Sequence, residues 1–174
     1  MLTLQALANW EAAVLASLKG ATGTVEERDA QITRSGLYAE YPAIFATYND
    51  IARDADDPAT ALEALKRAVF IAWYGFTEPP VQSVIAELPE SAIRATLEAL
   101  DRAIRSGRAD DELQWMLAWY HASFGYVFEH IGPVRSLDEF IAHVPANEAL
   151  AHREERSRFA GRGQLGVYWS AVLR

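Results

Sequence analysis

The chain has 174 residues, 51% hydrophobic and 23% charged, with a formal net charge of −8. That composition excludes the disordered class and disfavours non-specific nucleic-acid binding. The absence of cysteine excludes a disulfide framework, a thiolate metal site and a cysteine nucleophile.

Strand signals are almost absent, and helix punctuation is plentiful. A first helix is predicted from about Leu2 to Lys19, stopped by Gly20. Thr24-Val25-Glu26-Glu27 has the form of a capping box, opening a polar helix that ends near Gly36. Pro42 suits a first turn, and Tyr41, Ile44, Phe45, Tyr48 and Ile51 around it repeat at helical spacing. Asp57-Pro58 reads as N-cap and first helical residue of a helix running to Phe76. Thr77-Glu78-Pro79-Pro80 terminates it. A narrow stripe of Ile93, Leu97, Leu100 and Ile104 marks a surface helix between Pro89 and Gly107. Asp110-Asp111-Glu112 opens a helix expected to run to about His130, broken by Gly132-Pro133. Ser136-Leu137-Asp138-Glu139 has the form of a second capping box, for a short helix ending near His143. A last helix from about Asn147 and a segment from Leu165 to Leu173 complete the chain. The reading is an all-α bundle of seven or eight helices with short antiparallel connections.

Two of these helices carry an Ala-Trp-Tyr step with a Phe shortly after, at Trp73-Tyr74 and Trp119-Tyr120. Large aromatics dominate cores, so both helices are expected to be central. In the first, Glu63 and Arg67 mark a charged face early on, and the second half is apolar all round. The second helix is apolar except for a thin stripe of Gln114, His121, Gly125 and Glu129, with Ala118 between them. This stripe is read either as the helix's solvent edge or as the lining of a pocket. A pocket between the two helices would have Trp73, Tyr74, Trp119 and Tyr120 as walls and Glu78, His121 and Glu129 as polar handles.

Other constellations are weighed as structural. Glu11 interrupts the apolar stripe of the first helix, as a boundary residue or as a buried carboxylate of raised pKa. Glu148 and His152 share a helix face without a His-Glu-x-x-His or di-iron pattern, so no metal and no cofactor are expected. Gly161-Arg162-Gly163-Gln164-Leu165-Gly166 matches the dinucleotide fingerprint in letters but lacks its strand–helix context. It reads as a flexible joint before a terminal docking segment.

Residues 1–150 are expected to form the helical domain. Residues 151–174 hold five arginines and two glutamates and should dock on the same domain or on a neighbouring subunit. Tyr168-Trp169 favours docking, since large aromatics seldom stay exposed at a terminus.

No segment approaches the roughly 20 apolar residues of a membrane span. The opening Met1-Leu2-Thr3-Leu4-Gln5 lacks the basic start of an export signal, so a cytoplasmic protein is expected. The fourteen arginines against two lysines suit a bacterial source. The leading functional expectation is a non-catalytic interaction protein that self-associates, as a homodimer or other homo-oligomer, or binds a protein partner, with no nucleic-acid or membrane partner. One alternative is a small-molecule binder or enzyme using the aromatic pocket. Another is an acidic inhibitor or immunity-type protein.

Overall fold

Short polar side chains open four of the helices by satisfying backbone N–H groups that lack an intrahelical partner. The computed structural model describes residues 2–131, 134–142, 144 and 157–173. At the start of α1 (Leu4–Gly20), Thr3 accepts from the Ala6 N–H. Thr24 and Glu27 make the expected reciprocal box at the start of α2 (Val25–Ser35). A 3-10 turn (Leu37–Ala39) leads into α3 (Glu40–Asp54). Asp57 accepts from the Ala59 and Thr60 N–H groups of α4 (Pro58–Thr77), with Pro58 as its first residue. The chain continues through α5 (Pro80–Ser83) and α6 (Glu90–Arg105). Asp110 caps α7 (Asp111–Phe124) through the Leu113 N–H. Then come α8 (Tyr126–Ile131), α9 (Leu137–Ile141) and α10 (Gly163–Val172).

The described residues thus contain ten α-helices and no strand. The all-α bundle is as expected, with a slightly higher helix count for two local reasons. The proline pair that ends α4 also starts α5, because Pro80 suits a first helical position. The long helix expected from Asp110 to His130 divides at Gly125 into α7 and α8. A Cβ at Gly125 would lie 2.7 Å from the His121 carbonyl oxygen, an approach that only glycine allows. Ser136 also departs from expectation. It does not cap α9 but donates from Oγ, 2.8 Å, and from its N–H to Asp101 Oδ1.

The architecture is organised around α4, which packs against α3, α6, α7, α8 and α10. Every residue from Ala64 to Trp73 is buried. That run includes Lys66 and Arg67, so of the charged face expected at Glu63 and Arg67 the arginine is interior and Glu63 is half-buried beside it. Buried charges survive only when paired, and the pairing is described below. On the other side, α1 packs against α3 and α10. Among the described residues no helix is long and apolar enough to cross a membrane. The Gly132-Pro133 break, His143, the helix expected from Asn147, the Glu148/His152 pair, Arg153 and Arg156 lie outside the described residues.

Candidate functional site

The two Trp-Tyr steps meet at the centre of the fold. Trp73 and Tyr120 are fully buried and stack with ring centroids 4.3 Å apart. The C-terminal helix α10 closes the space around them. Tyr168 packs its ring 5.6 Å from Trp73 and 5.5 Å from Tyr74, and its hydroxyl accepts from Trp119 Nε1 at 2.8 Å. Trp169, fully buried, donates from Nε1 to the Tyr120 hydroxyl at 3.1 Å and stands edge-on to Trp115 at 4.7 Å. The four aromatic walls named for a pocket are therefore packed on one another and on α10. Burial, then Glu78 and Tyr168, push the Tyr74 phenol up to about 12.

The polar handles are dispersed. Glu78 is half-buried at the end of α4, and His121 and Glu129 are exposed. Gln114, half-buried, donates from Nε2 to the Phe140 carbonyl of α9. His121 Nε2 lies 3.9 Å from Asp138 of the same helix. The first part of the polar stripe on α7 thus lies under α9, beside a shallow depression that includes Ala118, Ala122 and Ile141. Its last part, Glu129 on α8, is open to solvent.

A second arrangement joins both ends of the chain through buried charge. Glu11 is buried. Its Oε1 accepts from the Tyr48 hydroxyl at 2.5 Å, and its Oε2 accepts from the Gln164 N–H at 2.9 Å. Burial raises its pKa, against the lowering effect of Tyr48, the Gln164 N–H and Arg67. Tyr41 lies buried beside the same carboxylate without closing a hydrogen bond. Arg67 donates to the Tyr48 hydroxyl, the Leu4 carbonyl and Glu63. Glu63 also receives both Nε and Nη2 of Arg162, whose Nη1 reaches Glu112. Glu112 and Asp110 in turn hold Lys66, at 3.3 and 2.7 Å. Each cation is shared between oxygen partners, which is what makes burial of this much charge tolerable. Gly163 sits against Glu11 at φ 62°, where a Cβ would fall 2.1 Å from Oε1. The glycine-rich run is therefore a fixed joint that seats α10 on a carboxylate.

The features of the surface with most scope for binding were not singled out in the sequence. Phe76, Phe124, Tyr126 and Val25 are 41%, 39%, 58% and 60% exposed, more apolar surface than scattered exposure gives. The three aromatics are linked into a strip. Phe124 meets Tyr126 edge-on at 6.1 Å. Tyr126 and His130 are one turn apart on α8. His130 stands edge-on to Phe76 at 5.8 Å. Phe76 and Val25 then line a cleft of about 620 Å³, closed by Tyr38, Val81 and Leu88, with Asp29 and Glu87 among its walls. Tyr38 donates to Asp29 at 2.6 Å; burial and that bond push its phenol up to about 12. The wall segment after α5 is strained, with Val84 at φ 62° and Glu87 at φ 52°. A β-branched residue in that region is a true outlier, and such strain concentrates at binding sites.

A further groove of about 540 Å³ lies between α3, α4 and α6. Among the described residues no group of three His, Asp or Glu could hold a metal ion. Comparison with family models, with curated proteins and with solved structures finds no match.

Proposed function

We propose that the protein is a non-catalytic interaction protein that binds a cationic, apolar-faced segment of a protein partner. The binding face is the strip from Phe124 and Tyr126 to Phe76 and the cleft beyond it. The observation that carries this reading is the linked exposure of three large aromatics leading into an apolar cleft. Aromatic side chains dominate the energetics of such faces, and pockets anchor them. Acidic groups set the partner's charge: Asp29 and Glu87 lie in the cleft, and Glu129 is exposed on α8. A net charge of −8 adds long-range attraction for a basic partner, which is the inhibitor-type form of the reading. Composition suits a bacterial protein acting in the cytoplasm. A second copy of the chain is the competing occupant. A two-fold axis through this face would bring acidic cleft groups toward their own copies, at a cost in affinity.

The test uses two labelled amphipathic peptides with the same apolar face, one of Leu and Lys and one of Leu and Glu. Fluorescence anisotropy should show binding of the cationic peptide only. The double variant Phe76→Ser/Tyr126→Ser should weaken it at least tenfold, about 1.4 kcal/mol. Equal binding of both peptides, or an unaffected variant, would overturn the reading. Light scattering that shows a dimer lost in the same variant would replace the partner with a second copy.

A further inference from the structure

The groove between α3, α4 and α6 exists because the residues facing it are too small to fill it. On α6, Ala95, Ala99, Arg102 and Ala103 fall at positions i, i+4, i+7 and i+8, which is one face of a helix. That face packs against α3 and α4, where Asn49, Ala52, Ala61, Leu62 and Leu65 supply most of the uncharged lining. Methyl groups cannot span the gap between three helices, and about 540 Å³ is left open, within the range of small-molecule sites.

The charged residues lining the groove are all of one sign: Arg53, Arg102 and Arg108. This is unusual on a chain whose net charge is −8. Arg53 is occupied by Asp50 and Asp54, at 2.7 and 2.8 Å. Among the described residues Arg102, an exposed side chain, has one loose partner, Glu98 at 3.9 Å. Arg108 donates from Nε to the Ser106 hydroxyl at 2.9 Å, and among the described residues no carboxylate pairs with it. Two guanidinium groups at the mouth of an apolar groove match a ligand with an apolar body and one anionic head, since arginine offers a fork of donors to carboxylate or phosphate. The positive end of α4, at Pro58 and Ala59, also borders the groove, but the Asp57 carboxylate already occupies its N–H groups. Recognition of the head therefore falls to the arginines.

We infer that this groove is a binding site for a small amphiphilic anion, its chain lying along the alanines of α6 and its head held by Arg102 and Arg108. The site is independent of the aromatic strip, which lies at the far end of α4.

Calorimetric titration of the full chain tests this with four probes kept below their micelle concentrations: decanoate, decyl phosphate, decanol and decyltrimethylammonium. The expected result is that at least one anion binds tenfold or more tighter than the cation. The double variant Arg102→Ala/Arg108→Ala, both exposed side chains, should lose most of that preference and keep decanol binding. Ala95→Phe, at an exposed position facing the groove, should lose anion and alcohol alike while the circular dichroism and thermal midpoint stay near wild type. The inference is overturned if the cation binds as well as both anions. It is equally overturned if the arginine variant keeps the full preference, or if a folded Ala95→Phe protein binds like wild type. Which anion binds tighter identifies the head group as carboxylate or phosphate.

Discussion

Replacing Gly163 with alanine should be among the most destabilising single-methyl additions in the molecule. The backbone at Gly163 has φ 62°, where a side chain costs about 1–2 kcal/mol. The added Cβ would also lie 2.1 Å from Glu11 Oε1, so the carboxylate has to move. Moving it breaks the hydrogen bonds from the Tyr48 hydroxyl and the Gln164 N–H, and leaving a buried polar group unsatisfied costs about 1–3 kcal/mol. Partial relaxation reduces the sum, leaving an expected cost of about 3–5 kcal/mol against a total stability of about 5–15 kcal/mol. Backbone strain and carboxylate displacement separate in a Glu11→Ala background, where no carboxylate stands in the way. There Gly163→Ala should cost only the backbone strain, about 1–2 kcal/mol, giving a coupling of about 2–3 kcal/mol between the two sites. Equilibrium urea unfolding, followed by the tryptophan fluorescence of the chain, measures all four corners of the cycle. A cost below 1 kcal/mol for the single variant, or the same cost in both backgrounds, would refute the seating of α10 on Glu11.

Arg162→Met removes a side chain shared by Glu63 and Glu112, which are largely buried. Urea unfolding should show a loss of about 2–4 kcal/mol, below the full cost of breaking a buried pair because both acids retain some water. Burial raises the Glu11 pKa above its unfolded value of 4.5, so this group's contribution is fully present below about pH 4.5 and is lost as pH rises through the folded pKa. Between pH 4 and 8, wild-type stability should therefore fall relative to Glu11→Gln; parallel curves would contradict the burial argument. Glu87→Gly relieves a positive φ of 52° at an exposed position. It should raise stability by about 1 kcal/mol, or about 2–4 °C in thermal midpoint for a chain of this size, while removing one acid from the cleft and weakening the cationic peptide.

What was legible in the sequence was local. Thr24 with Glu27, Asp57 with Pro58, and Asp110 before an apolar run each announce a helix start within four residues, and each is a cap in the structure. The density of aromatics around Trp73 and Trp119 likewise marks the helices that meet at the core. What escaped was set by tertiary partners. Lys66 and Arg67 look like surface charges until Glu112 reaches the first and the Tyr48 hydroxyl and Leu4 carbonyl meet the second. Glu11 and Gly163 lie at opposite ends of the chain, and nothing near either residue signals the other. Ser136 has the pattern of a cap, but Asp101 competes for its hydroxyl and wins. The binding face was obscured for the same reason. Exposure of Phe76 and Tyr126 depends on which neighbours cover α4 and α8, whereas the residues first suggested for a pocket, Trp73 and Tyr120, are sealed by Tyr168 and Trp169. The one available signal was an apolar run continuing past Gly125 into Tyr126-Val127-Phe128, of which Val127 and Phe128 are buried and Tyr126 is left exposed.

A partner seated on the strip and cleft is located by mapping amide and aromatic chemical shifts of the isotope-labelled chain during titration with the cationic amphipathic peptide. Saturable shifts are expected at Val25, Phe76, Leu88, Phe124 and Tyr126, with the His121–Asp138 depression unmoved. Shifts centred on His121, Asp138 and Ile141, or no shifts at the strip at saturating peptide, would contradict that placement.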